Sequence, residues 1–109
     1  MYLEELLNKD ILEDDKIECK QSLNRTDILD WLKTIAGFSN ADGGTMYIGV
    51  ADKTNKLIGF SKEEVDGEKN YINNQLNEHL FPRPLVKISF LPYEIKGNTR
   101  YVLEVVVPS

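Results

Sequence analysis

Between Phe38 and Val50 the chain reads Phe-Ser-Asn-Ala-Asp-Gly-Gly-Thr-Met-Tyr-Ile-Gly-Val, and few folds accommodate that order. Asn40, Asp42, Gly43 and Gly44 are residue types that accept left-handed or open backbone geometry, so they mark a turn. Thr45 to Val50 is an apolar, β-favouring run too short for a helix. Helical spacing leads into the turn: Ile28, Trp31 or Leu32, Ile35 and Phe38 recur along a segment from about Asp27 to Phe38. Thr26 or Asp27 is the expected N-cap, and Trp31 is expected in the core. The unit is therefore helix, glycine turn, buried strand. Gly49 within the strand predicts a bulge, or a close approach by another backbone or a ligand.

The flanking segments supply the rest of a domain. Tyr2 to Asn8 places Leu3, Leu6 and Leu7 on one side of a short helix that must pack on the domain or on a partner. An acidic turn, Leu12 to Asp15, precedes a short strand, Ile17 to Lys20. Period-two geometry sends Ile17 and Cys19 inward and Glu18 and Lys20 together toward solvent or a groove. After the central strand, a polar turn (Asp52 to Lys56) and a returning strand (Leu57 to Phe60) make a hairpin. Ser61 and Glu64 form a capping box for a helix that buries Val65, Ile72, Leu76 and Leu80, is weakened by Gly67, and ends before Pro82. Pro84 to Leu91 alternates, with Val86, Ile88 and Phe90 on one face. Gly97-Asn98 marks a turn. In Arg100 to Val107, Tyr101, Leu103, Val105 and Val107 oppose Val102, Glu104 and Val106. Its last residues are apolar on both faces, as in a central strand. The expected class is α/β (α+β), a mixed sheet of about five to six strands with two main helices and a short N-terminal helix.

Composition narrows the function classes. The chain has 109 residues, 41% of them hydrophobic, so residues 1–109 are expected to form a single domain. The net charge of -5 argues against strong non-specific nucleic-acid binding, which depends on neutralising phosphates, but leaves room for a local basic patch. A lone cysteine, Cys19, excludes an internal disulfide and a cysteine-based zinc cluster. The acidic start lacks the pattern of a signal peptide, and no run approaches the ~20 apolar residues of a membrane span. A cytoplasmic protein without a membrane partner is expected. A core strand so near the C-terminus predicts the N-terminal domain of a longer protein, with its C-terminal domain as a partner.

Three constellations can carry chemistry. Glu13, Glu18 and Asp52 lie before, on and after strands that can be neighbours. Converging carboxylates bind Mg²⁺ or Mn²⁺, and paired metals of that kind cleave phosphodiesters. Lys20 would then steady developing negative charge. A solvated acidic surface accounts for the same residues. In the second constellation, Asn40 with Gly43, Gly44 and Thr45 offers backbone amides that can cradle an anion, although a helix stop feeding a strand explains the glycines equally. The third is basic: Lys20, Arg25, Lys53 and Lys56 can form a phosphate-contacting patch beside the turn, with Lys16 and Lys33 in the same third of the chain. No Gly-x4-Gly-Lys-Ser/Thr pattern occurs.

The order Glu13-x4-Glu18-x-Lys20, then Ala36-Gly37-Phe38-Ser39-Asn40-Ala41-Asp42-Gly43-Gly44-Thr45, then Tyr47-Ile48-Gly49-Val50-Ala51-Asp52 and Ile58-Gly59 resembles the Schlafen AlbA-like domain. The resemblance runs from about Glu13 to Val107. That family, formerly labelled a divergent AAA ATPase, is described as DNA-binding, and bacterial members often open transcriptional regulators. The family commonly has an aromatic residue at Cys19 and an acidic one at Ala51. The resemblance implies an α/β domain that binds nucleic acid, DNA in preference to RNA, with no cofactor. Lys20, Arg25, Lys53 and Lys56 would contact phosphates, and Asn40, Gly43 and Gly44 would shape the turn. In the nuclease members a carboxylate triad cuts structured RNA, and Glu13, Glu18 and Asp52 match it by position. A nuclease dependent on Mg²⁺ or Mn²⁺ is therefore the alternative. A protein-interaction or homodimerisation module, using the apolar N-terminal helix, is the third reading.

Overall fold

The computed structural model describes residues 16–51 and 56–108. The expected helix at Tyr2 to Asn8, the acidic turn before Lys16, and most of the Asp52 to Lys56 turn lie outside the described residues. Six elements follow in order: β1 (Ile17–Lys20), α1 (Leu29–Asn40), β2 (Gly44–Ile48), α2 (Lys62–His79), β3 (Lys87–Ile95) and β4 (Asn98–Val107). Among the described residues the sheet has four strands in the order β1-β2-β4-β3, with β1 parallel to β2 and the other pairs antiparallel. The class matches the α+β expectation, and the strand count falls below it.

The missing strand is Leu57 to Phe60. It makes only isolated bridges, Val50 to Leu57 and Phe60 to Tyr101. Gly49 and Gly59 both have positive φ, 107° and 65°, and these bends interrupt a continuous ladder. The close approach expected at Gly49 is real: a Cβ there would meet the Gly59 Cα at 3.1 Å. The Gly49 carbonyl accepts from the amides of both Ile58 and Gly59. Arg100 clamps the same loop, donating from Nε to the Ile58 carbonyl and from an Nη to the Gly59 carbonyl.

Both helices cover one face of the sheet. Trp31, Leu32, Ile35 and Phe38 of α1 and Val65, Ile72 and Leu76 of α2 pack on Met46, Ile48, Leu103, Val105 and Val107. Trp31 is fully buried, as its position on the apolar stripe predicts. The opposite face holds a smaller cluster of Cys19, Tyr47, Val50, Tyr93 and Val102. β4 lies between β2 and β3, which explains why its last residues are apolar on both faces. Lys96 and Gly97, both at positive φ, form the tight turn joining β3 to β4. The capping box of α2 is present in full. α1 begins two residues later than expected and has no side-chain cap. Asn24 explains this, because its side-chain oxygen already accepts from the amides of Thr26 and Asp27. Among the described residues no helix is long and apolar enough to cross a membrane.

Candidate nucleic-acid interface

β1 is an edge strand, and its register sets the site. Glu18 pairs with Met46 and Lys20 with Ile48, so both side chains project to the helix side of the sheet. Cys19 is paired with Tyr47 and faces the other way, into the smaller cluster. At this edge α1 leaves a groove of about 450 Å³, bounded by Lys16 and Glu18 on one wall, Lys33 and Gly37 on the other, and Asp42 and Gly43 at the turn. Lys33 and Gly37 are four residues apart on α1 and therefore share a face. Gly37 keeps the groove open, since nothing lies within 4 Å of the position its Cβ would take. Lys33 is exposed and has no hydrogen-bond or ion-pair partner among the described residues. The groove thus presents two ammonium groups and two carboxylates, a lining able to hold a phosphate on the cations.

The expected patch is divided by the fold. Lys20, 15% exposed, donates to Asp30 at 3.1 Å and fastens β1 to the first turn of α1. Arg25 pairs with Glu68 at 2.6 Å and lies 3.6 Å over the Tyr71 ring, which ties the β1–α1 loop to α2. Both charges are already matched by carboxylates. Lys56 is exposed. The Gly43 amide donates to the Phe38 carbonyl at 3.0 Å, closing the end of α1, and Gly44 lies directly beneath the Phe38 ring. Asn40 lines a second groove, between the end of α1 and the segment after α2. Glu13, Asp52 and Lys53 lie outside the described residues.

The fit to Mg²⁺ or Mn²⁺ follows from the donors present. Among the described residues no group of three His, Cys, Asp or Glu side chains is poised to hold a metal ion. Glu18 and Asp42 border one groove, and two carboxylates would hold Mg²⁺ there only with water or substrate oxygens completing its shell. Two cations gain weight from the structure. Lys33 was legible only as part of a basic third of the chain. Arg83 carried one signal, a cation between two prolines, and its partners, Asn77 and Asn73, lie six and ten residues back on α2.

Residues 13–109 match the family model for Schlafen, AlbA_2. The chain belongs to the Schlafen AlbA_2 family. A Ureaplasma parvum protein described as an uncharacterized ATP-binding protein is 30% identical over 71 residues. That match covers 64% of this AlbA_2 chain and 20% of the Ureaplasma protein, so the chain spans a small part of that relative's length. The solution structure of the N-terminal domain of a RecG-related protein from Nitrosomonas europaea superposes with a TM-score of 0.60. The identity is 22%, covering 98% of this chain and 70% of that one, and the likeness shows a shared fold.

Proposed function

We propose that this AlbA_2 domain binds nucleic acid, DNA in preference to RNA, and serves a transcriptional regulator. The family match over residues 13–109 carries the reading. The name of the Nitrosomonas relative, an ATP-dependent DNA helicase RecG-related protein, supports a role close to DNA. The ATP-binding named for the Ureaplasma protein is not carried over, because the phosphate-binding lysine pattern is missing from this sequence. Lys33, which lines the edge groove and whose side chain has no partner among the described residues, takes the leading phosphate contact in place of Lys20 and Arg25. Lys53 and Lys56 complete the proposed contact set. Lys33→Glu is expected to weaken duplex binding at low salt for all sequences alike, since phosphate contacts do not read bases. Its urea midpoint should match that of the unaltered protein, because the side chain is exposed. Unchanged affinity in Lys33→Glu would remove this groove from the interface.

The competing nuclease reading draws on Glu18, which borders the same groove and whose side chain has no hydrogen-bond partner among the described residues. It requires cleavage of DNA or structured RNA that depends on Mn²⁺ or Mg²⁺ and is lost in Glu18→Gln. Cleavage that persists after chelation would sink it.

A further inference from the structure

The second groove carries features that the edge groove lacks. It has a volume of about 280 Å³ and lies between Ser39 and Asn40 at the end of α1 and Leu80, Phe81 and Pro82 after α2. Phe81 is fully exposed, at 101%. The other phenylalanines, at positions 38, 60 and 90, all pack into or against the main core. Two residues on, Arg83 donates to Asn77 Oδ1 at 2.6 Å and to Asn73 Oδ1 at 2.8 Å. These acceptors are neutral amides four residues apart on α2. They fix the guanidinium in place without cancelling its charge, whereas Lys20 and Arg25 each face a carboxylate.

We propose that this groove binds single-stranded nucleic acid, with a base stacked on Phe81 and a neighbouring phosphate on Arg83. The proposal rests on the nucleic-acid reading above and adds the strand form and the contacts. An exposed aromatic ring two residues from a fixed cation offers what single strands use, because any base can stack and any phosphate can pair. In a duplex the bases are already stacked on one another and cannot reach Phe81. The electrostatics divide the roles. α1 ends at Asn40 and α2 at His79, so two helix C-termini, with their partial negative charge, converge on the groove. That environment suits the amino groups of a base edge, and the exposed Asn40 amide can both donate and accept there. It disfavours a phosphate, which Arg83 takes instead. A protein partner fits less well. Phe81 and Leu85 together expose an apolar area of order 300 Å², against ~800 Å² per partner in a stable protein interface.

The test is fluorescence anisotropy at low salt with a labelled oligodeoxycytidylate single strand, whose bases carry amino groups, and a labelled duplex. The proteins are the unaltered chain, Phe81→Ala, Phe81→Trp and Arg83→Gln. Phe81→Ala should weaken single-strand binding about tenfold, leave duplex binding unchanged, and unfold at the same urea concentration. Phe81→Trp should retain affinity, and Arg83→Gln should lose part of it. Duplex binding without single-strand binding would overturn this proposal and leave the broader reading standing. Failure of the unaltered protein to bind either form would overturn both. Single-strand affinity unchanged in Phe81→Ala would also overturn it, and loss of a dimer in that variant would assign Phe81 to a protein contact.

Discussion

Gly44 lies so close beneath the Phe38 ring that an added methyl group would overlap the ring carbons. The requirement here is space, since Gly44 is not among the glycines at positive φ. Gly44→Ala must therefore displace Phe38, the last buried residue of α1, and lose about 1–3 kcal/mol of stability through overpacking. Gly67 provides the contrast. It lies inside α2, and nothing is within 4 Å of its Cβ position. Gly67→Ala should gain about 0.5–1 kcal/mol, mainly by restricting the unfolded chain. Urea unfolding of the two variants beside the parent checks both signs. Equal effects from the two changes would mean that Phe38 adjusts freely. The sequence marks both positions as glycine, but only the fold distinguishes a contact from open space.

At the scale of elements, local chemistry was legible and long-range chemistry was not. The α2 capping box lies within four consecutive residues, and it forms with Glu64 N–H donating to Ser61 Oγ at 3.2 Å and Ser61 N–H donating to Glu64 Oε1 at 3.0 Å. That backbone hydrogen bond from Ser61 holds the Glu64 carboxyl below its ordinary pKa. A depressed carboxylate contributes stability above its unfolded pKa and loses it as pH falls through the folded value. Glu64→Gln keeps an acceptor and removes the charge. The stability gap between parent and variant should be widest at neutral pH and close as the solution is acidified past the carboxylate range. A gap constant with pH would show that the charge contributes nothing. By contrast, α1 starts two residues later than expected because the Asn24 side chain accepts from the amides of Thr26 and Asp27 and holds them in a turn before the helix. The strand at Leu57 to Phe60 was lost to the φ values of Gly49 and Gly59. The pairing within the basic set has a third cause: Arg25 finds Glu68, 43 residues away, and no local pattern reveals that pairing.

For the molecule as a whole, the balance of 13 basic against 18 acidic residues means that its long-range field repels nucleic acid. Binding must then come from a few local cations and from contacts that are not electrostatic. The fold narrows the cations further by matching Lys20 to Asp30 and Arg25 to Glu68. Lys33, which borders the edge groove, and Arg83, held by Asn73 and Asn77 of α2, keep charge unmatched by a carboxylate among the described residues. With about two to three phosphates neutralised, the logarithm of single-strand affinity should fall against the logarithm of salt with a slope of roughly -1.5 to -2. Arg83→Gln should reduce that slope by about 0.7, the share of one phosphate. Phe81→Ala should lower affinity at every salt concentration and leave the slope unchanged, because stacking releases no counterions. Isotherms across a several-fold range of salt separate these outcomes. A slope steeper than about -5 would require a basic track that the described surface does not present, and a slope altered by Phe81→Ala would mean that Phe81 positions a cation and does not stack a base.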